Sequence, residues 1–221
     1  MPKHGFARKS TFTLIRHEPS SCTHRLVSSD ATREVYPFDF VLDITFTLDR
    51  AKLTNTAELR NGSPLPMPAQ FGFHPAFRWP LPFGARRDEC EIVFEHPEPA
   101  SIRRLDDGLI LMQRFDSPPE GKRLRLDDSL FVNDALIFDT LVSRAVTYRA
   151  APGPSLHVDF PDMPQLGIWT KPGAPYICIE PWQGTAARVG PTVEMRERPG
   201  AVVLAPGETR RFAMSVALVS N

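Results

Sequence analysis

Residues 38–49 run Phe38, Asp39, Phe40, Val41, Leu42, Asp43, Ile44, Thr45, Phe46, Thr47, Leu48, Asp49. Every even position is a large apolar side chain, and the odd positions are Asp or Thr with a single Val. Alternation at period two places each set on its own face of a pleated chain, so this stretch is a strand with one buried side. On its C-terminal side, residues 53–59 form a second strand candidate. Arg60, Asn61, Gly62 and Ser63 then carry a turn signal, since Asn-Gly tolerates positive φ. Shorter strand candidates lie at 91–95, 123–126, 145–148 and 156–160. Residues 201–204, a turn at Pro206, Gly207 and Glu208, and residues 210–219 read as a C-terminal hairpin with Phe212, Met214, Val216 and Leu218 on its apolar face.

Helical periodicity is weak throughout, and a short piece at 129–136 is the best helix candidate. Proline points the same way. Its 23 residues in 221 are about twice the usual share, and each removes a backbone donor that a long helix needs. The proline-rich stretch 64–83 is interrupted by aromatics and reads as a packed loop rather than a spacer. No repeat or linker divides the chain. Residues 1–221 are therefore taken as a single all-β domain, a large antiparallel β-sandwich. Lys plus Arg and Asp plus Glu number 26 each, which argues against nucleic acid or an anionic membrane as partner. No run approaches the roughly 18 apolar residues of a membrane helix. Cys22, Cys90 and Cys178 are isolated, so neither a disulfide framework nor a metal pair is expected, and the cytoplasm is the simplest location.

Four stretches have chemical content. In the first, His74 stands among Phe71, Phe73 and Phe77 and directly before Pro75, which holds it extended. It is either a histidine satisfied at the edge of an aromatic cluster or a proton-transfer group. In the second, Tyr176, Cys178 and Glu180 share one face of an apolar strand, while Ile177 and Ile179 share the other. Glu180, followed by Pro181 and Trp182, is either paired with an arginine at a strand end or poised as a general base. The third stretch is His4, Gly5, Phe6, Ala7, Arg8, which in isolation is only a terminal segment. In the fourth, Asp134 interrupts the apolar run 130–138, either as a cap or turn residue or as a polar group aimed into a pocket. His17, His24, His96 and His157 show no ligand spacing, and no phosphate loop or nucleophile elbow is present.

Taken together and in order, these stretches resemble the aldose 1-epimerase (galactose mutarotase-like) family. Tyr36, Pro37, Phe38 and the closing Leu204, Ala205, Pro206, Gly207, Glu208 add to the match, which spans essentially the whole chain. The resemblance implies a sandwich of curved antiparallel sheets with a sugar on the concave face. It also implies cofactor-free and metal-free exchange of the α and β anomers of an aldose. By the same resemblance Glu180 is the base that takes the anomeric hydroxyl proton and His74 the acid that protonates the ring oxygen. His4, Arg8 and Asp134 are the residues expected to hydrogen-bond the sugar, and Trp182 or Phe73 to stack on it. In relatives that use phosphosugars, Arg8 would hold the phosphate bidentately. Family members usually carry several strands and a substrate-contacting arginine before the motif that begins here at His4. The sandwich is therefore expected to lack N-terminal strands and to expose sheet edges and apolar faces. Two other readings stand beside the epimerase of a free aldohexose: a non-catalytic carbohydrate-binding domain, and a hexose-6-phosphate 1-epimerase.

Overall fold

The computed structural model describes residues 4–83, 85–150 and 153–220. In chain order the strands are β1 (Thr13–Glu18), β2 (Ser21–Val27), β3 (Phe40–Asp49), β4 (Lys52–Asn61), β5 (Met67–Ala69), β6 (Phe71–Gly72), β7 (Ala76–Arg78), β8 (Cys90–Phe94) and β9 (Leu105–Asp106). There follow β10 (Leu109–Ile110), β11 (Arg123–Arg125), β12 (Leu136–Phe138), β13 (Ala145–Ala150), β14 (Ser155–Asp159), β15 (Gln165–Trp169), β16 (Tyr176–Gln183), β17 (Val202–Leu204) and β18 (Thr209–Val219). Among the described residues helix is confined to one turn, α1 (Asp30–Arg33), and a few 3-10 segments. No helix among the described residues is long and apolar enough to cross a membrane.

The alternating stretch does what its pattern requires. β3 pairs with β4 along its full length, from Phe40 opposite Asn61 to Asp49 opposite Lys52, through a tight connection with Arg50 at φ 52°. These strands belong to a nine-stranded antiparallel sheet ordered β1-β2-β3-β4-β18-β14-β13-β8-β11. A smaller sheet, β12-β15-β16-β6 with β7 also on β16, faces it. Phe40, Leu42, Ile92, Phe94, Tyr148 and Phe212 of the large sheet and Leu136, Leu166, Ile168, Ile177 and Ile179 of the small one are all buried in one cluster. Each such side chain contributes about 1.5–3 kcal/mol by leaving water, and that burial holds the two layers together. At the other end the large sheet is open. All six residues of β1 are exposed, and so are Leu48 and Leu53 on the apolar face of β3 and β4.

Three local expectations need correction. Residues 201–204 and 210–219 do not form a hairpin: β17 pairs with β5, whereas β18 lies between β4 and β14. The turn between them is tied to β4 instead, through Asn61 N–H to Glu208 O (2.9 Å) and Gly207 N–H to Asn61 O (3.0 Å). The turn after β4 uses no positive φ at Asn61 or Gly62. The buried Asn61 carboxamide builds it, donating to the carbonyls of Leu65 and Leu204 and accepting from Ser63 N–H at 2.8 Å. Residues 129–136 give only a 3-10 turn, Asp128–Phe131, started by the Asp127 side chain on Ser129 N–H. It ends at Phe131 with Val132 as its C-cap, Asp134 follows at φ 64°, and Leu136 opens β12 because that strand gains its hydrogen bonds from β15.

Candidate active site

β16 is covered on both flanks within the small sheet, by β15 on one side and by β6 and β7 on the other. Its pleat sends Ile177 and Ile179 into the core and Cys178, Glu180 and Trp182 to the opposite face. The interrupted strand β6–β7 alternates in the same way. Phe71 and Phe73 pack inward, at 5.0 Å centroid to centroid and with Phe71 stacked on Phe212, while Gly72, His74 and Ala76 point outward. The break between β6 and β7 is held against β16 by Phe73 N–H to Pro181 O (3.0 Å) and Ile179 N–H to Pro75 O (3.4 Å). With Pro75 restricting the backbone before it, His74 is carried directly over Glu180.

The imidazole Nδ1 lies 3.3 Å from Glu180 Oε1. The carboxylate side chain is 4% exposed and the imidazole 41%, so the base sits at the bottom and the histidine at the rim. His74 is not enclosed by its phenylalanines, and Glu180 has an imidazole beside it. The two groups meet directly, on one face of one sheet. Cys178 is the next group along this face, and burial, followed by the Glu180 charge, pushes its thiol up to about 12.

Trp182 completes the row, and two glycines make room for it. A β-carbon on Gly167 would come within 2.3 Å of the indole Cζ2, and one on Gly72 within 2.6 Å of Cδ1. The ring therefore lies flat across β15, β16 and β6, and it packs against a second small apolar cluster of Ile110, Ala135 and Ile137. Phe73, the other stacking candidate, is buried in the main core and presents nothing to this face. The Gly167→Ala variant is expected to displace the indole, costing about 1–3 kcal/mol of stability through overpacking. Chemical denaturation measures the effect, and a variant of unchanged stability would show that the ring is not fixed by this contact.

His4 joins the pair. Its ring centroid is 5.4 Å from that of His74, and the segment is seated by Phe6 packing against Tyr36 and Phe40 at 5.9 and 5.7 Å. Arg8 is exposed on the 3-10 turn Ala7–Lys9. Asp134 accepts from Ala135 N–H at 2.7 Å, as a turn residue does. Among the described residues no hydrogen bond or ion pair links Arg8 or Asp134 to His74 or Glu180. Arg104 escapes sequence inspection: its guanidinium donates to the carbonyls of Leu130 (2.7 Å) and Asp134 (3.1 Å) and so fixes the loop that carries Asp134. Burial lowers the Arg104 pKa, against the pull of the Asp134 charge. No sequence signal marks it, because its acceptors are main-chain atoms.

The fold is an antiparallel sandwich with an imidazole–carboxylate pair and a flat indole on the outer face of its smaller sheet. The chain is a member of the aldose 1-epimerase family, whose sequence model matches residues 1–217. It is similar to the chromosomal protein LacX of Lactococcus lactis subsp. lactis, at 31% identity over 224 residues, covering 99% of this chain and 75% of that one. In structure it resembles a galactose mutarotase related enzyme from Lactobacillus acidophilus, with a TM-score of 0.88 and 30% identity over 97% of this chain and 73% of the other. A galactose mutarotase-like protein from Lactobacillus casei aligns with a TM-score of 0.87 and 26% identity, over 99% and 76% of the two chains. Membership of this family makes the chain epimerase-like in class and a small sugar its kind of substrate.

Proposed function

We propose that the chain is an aldose 1-epimerase that interconverts the α and β anomers of an aldohexose, with Glu180 as base and His74 as acid. The observation that carries this reading is the 3.3 Å approach of His74 Nδ1 to Glu180 Oε1, with the carboxylate enclosed and the imidazole open. The anomeric hydroxyl and the ring oxygen are bonded to the same carbon. Two catalytic groups side by side can therefore reach both, and no gap one sugar wide between them is required.

Glu180 takes the proton from the anomeric hydroxyl while protonated His74 gives one to the ring oxygen. The bond from C1 to the ring oxygen breaks as the C1 carbonyl forms. Rotation about C1–C2 turns the other carbonyl face to the ring hydroxyl. Closure then returns a proton from Glu180 to the new anomeric oxygen and one from the ring hydroxyl to His74, so both groups end as they began. No outside proton donor or acceptor is needed, which suits a site whose base is closed to solvent. Trp182 supplies an apolar floor for the sugar's C–H face. His4, Arg8 and Asp134 are assigned to its hydroxyls.

Polarimetry of freshly dissolved α-D-glucose and α-D-galactose tests the reading, and acceleration of the approach to equilibrium is the expected result. Saturable sugar binding without acceleration would instead identify a carbohydrate-binding domain. Acceleration confined to glucose 6-phosphate would assign Arg8 to a phosphate.

A further inference from the structure

The same face carries a third donor that proton transfer does not use. A ring nitrogen of His74, Cys178 Sγ and a Glu180 carboxylate oxygen all lie within 4.8 Å of one another. We infer that these three side chains form a zinc-binding site, and that the ion, once bound, switches the His74–Glu180 pair off. The inhibitory half of this inference rests on the epimerase reading above; the metal site itself does not.

Three features of the geometry favour it. First, zinc takes imidazole nitrogen at about 2.0–2.1 Å, thiolate at about 2.3 Å and carboxylate oxygen at about 2.0–2.2 Å, so donors in its tetrahedral shell stand roughly 3.3–3.7 Å apart. His74 and Glu180 already meet that spacing at 3.3 Å, and at most about 1 Å of side-chain rotation brings in the sulfur. Second, the donors are not chance neighbours on a loop. Cys178 and Glu180 are successive outward residues of a strand paired on both flanks, and His74 is placed opposite by two main-chain hydrogen bonds beside Pro75. Third, one sulfur, one nitrogen and one oxygen donor suit zinc and disfavour magnesium or calcium, which take oxygen alone.

Three protein ligands leave a fourth position for water or a sugar hydroxyl, as in open zinc sites. Access is from the imidazole side, since His74 is the exposed member of the trio. The buried thiol gives its proton to solvent as the sulfur–zinc bond forms. Zinc on the carboxylate removes the lone pair that would accept the anomeric proton, and zinc on Nδ1 removes a site of proton donation. Sequence inspection passes over this arrangement because Cys178 and His74 lie about a hundred positions apart and show no ligand spacing.

The test uses Co²⁺ as a spectroscopic stand-in for zinc on the whole chain. Wild-type protein should show the near-ultraviolet charge-transfer band of a thiolate–cobalt bond, and Zn²⁺ should bleach it. Cys178→Ala and Cys178→Ser should lack the band, and Cys22→Ser should keep it. In polarimetry, Zn²⁺ should inhibit the wild type reversibly, with chelator restoring the rate. Cys178→Ala should keep the metal-free rate and need at least roughly a hundredfold more zinc for the same inhibition, since losing a direct ligand costs no less than the roughly 10–100-fold that losing an outer-shell partner does. No band in the wild type, a band that survives Cys178→Ala, or equal zinc sensitivity in both proteins would overturn the inference. The cobalt spectrum is read without any turnover. A silent polarimeter with a Cys178-dependent band would therefore retire the epimerase reading and the inhibitory role while leaving the metal site standing.

Discussion

Replacing Glu180 by Gln is expected to slow anomer exchange by roughly 10³-fold, within the range that general acid–base groups supply. The substitution isolates chemistry from packing. The carboxamide has the volume of the carboxylate it replaces, and it occupies the same enclosed position, where the native side chain is 4% exposed. What it lacks is an oxygen able to take a proton. The loss corresponds to about 4 kcal/mol of transition-state stabilisation at 1.36 kcal/mol per decade. It should fall on kcat, with KM little changed, because the sugar hydroxyl can still hydrogen-bond to the amide while only the transition state needs the base. His74→Asn should cost about 10²-fold or more by the same reasoning, since the ring oxygen then leaves without a proton. The double variant should be barely slower than Glu180→Gln alone, because both groups serve one step. A Glu180→Gln protein with the wild-type rate would remove this carboxylate from the reaction.

Residues 38–49 show how far local pattern reaches. The alternation in β3 is visible because its large apolar side chains all fall on one face, buried at Phe40 and Leu42 and half-buried at Ile44, and sorting residues by face is all that period two can do. β1 (Thr13–Glu18) carries no such mark, since it lies at the sheet edge with every residue exposed and nothing to sort. The C-terminal hairpin fails for a different reason. Residues 201–219 have the right local grammar, but β17 finds its partner in β5, more than 130 positions earlier, and strand choice is decided by that tertiary partner. The candidate site divides along the same line. His74 and Glu180 stand out because polar residues in apolar strands are unusual, and the family resemblance assigns them roles. Gly72 and Gly167 do not stand out, although an indole rests on both, because a glycine kept for the space above it is silent until that neighbour is known. Arg104 and the Cys178 donor are silent for the same reason.

The largest expected loss of stability comes from Asp139, at the end of β12. Its carboxylate is 10% exposed and receives Arg103 Nε at 3.2 Å and Arg114 Nη1 at 3.1 Å, with Arg188 Nη2 at 4.0 Å. Arg103 is itself 9% exposed, and it also donates to the carbonyls of Leu111, Met112 and Gln113. One carboxylate therefore compensates a buried guanidinium that ties the 111–113 loop to the edge strand of the small sheet. Asp139→Ala leaves that cation without its charge partner, at an expected cost of about 3–5 kcal/mol. For a chain of this length such a loss lowers the melting temperature by roughly 10 °C. A second substitution separates the lost pairing from lost packing. If the cost is an uncompensated charge, Arg103→Met placed on Asp139→Ala should restore part of the stability, whereas additive losses would show the two sites to be independent. The effect should also reach the site. Main-chain hydrogen bonds join Arg103 to Ile137, and Ile137 with Ile110 belongs to the apolar cluster against which Trp182 packs. An Asp139→Ala protein that is still folded should therefore bind sugar more weakly while His74 and Glu180 keep their contact. A rise in KM with kcat held would trace the coupling through the indole floor. A loss of kcat alone would place it in the acid–base pair and remove Trp182 from the route.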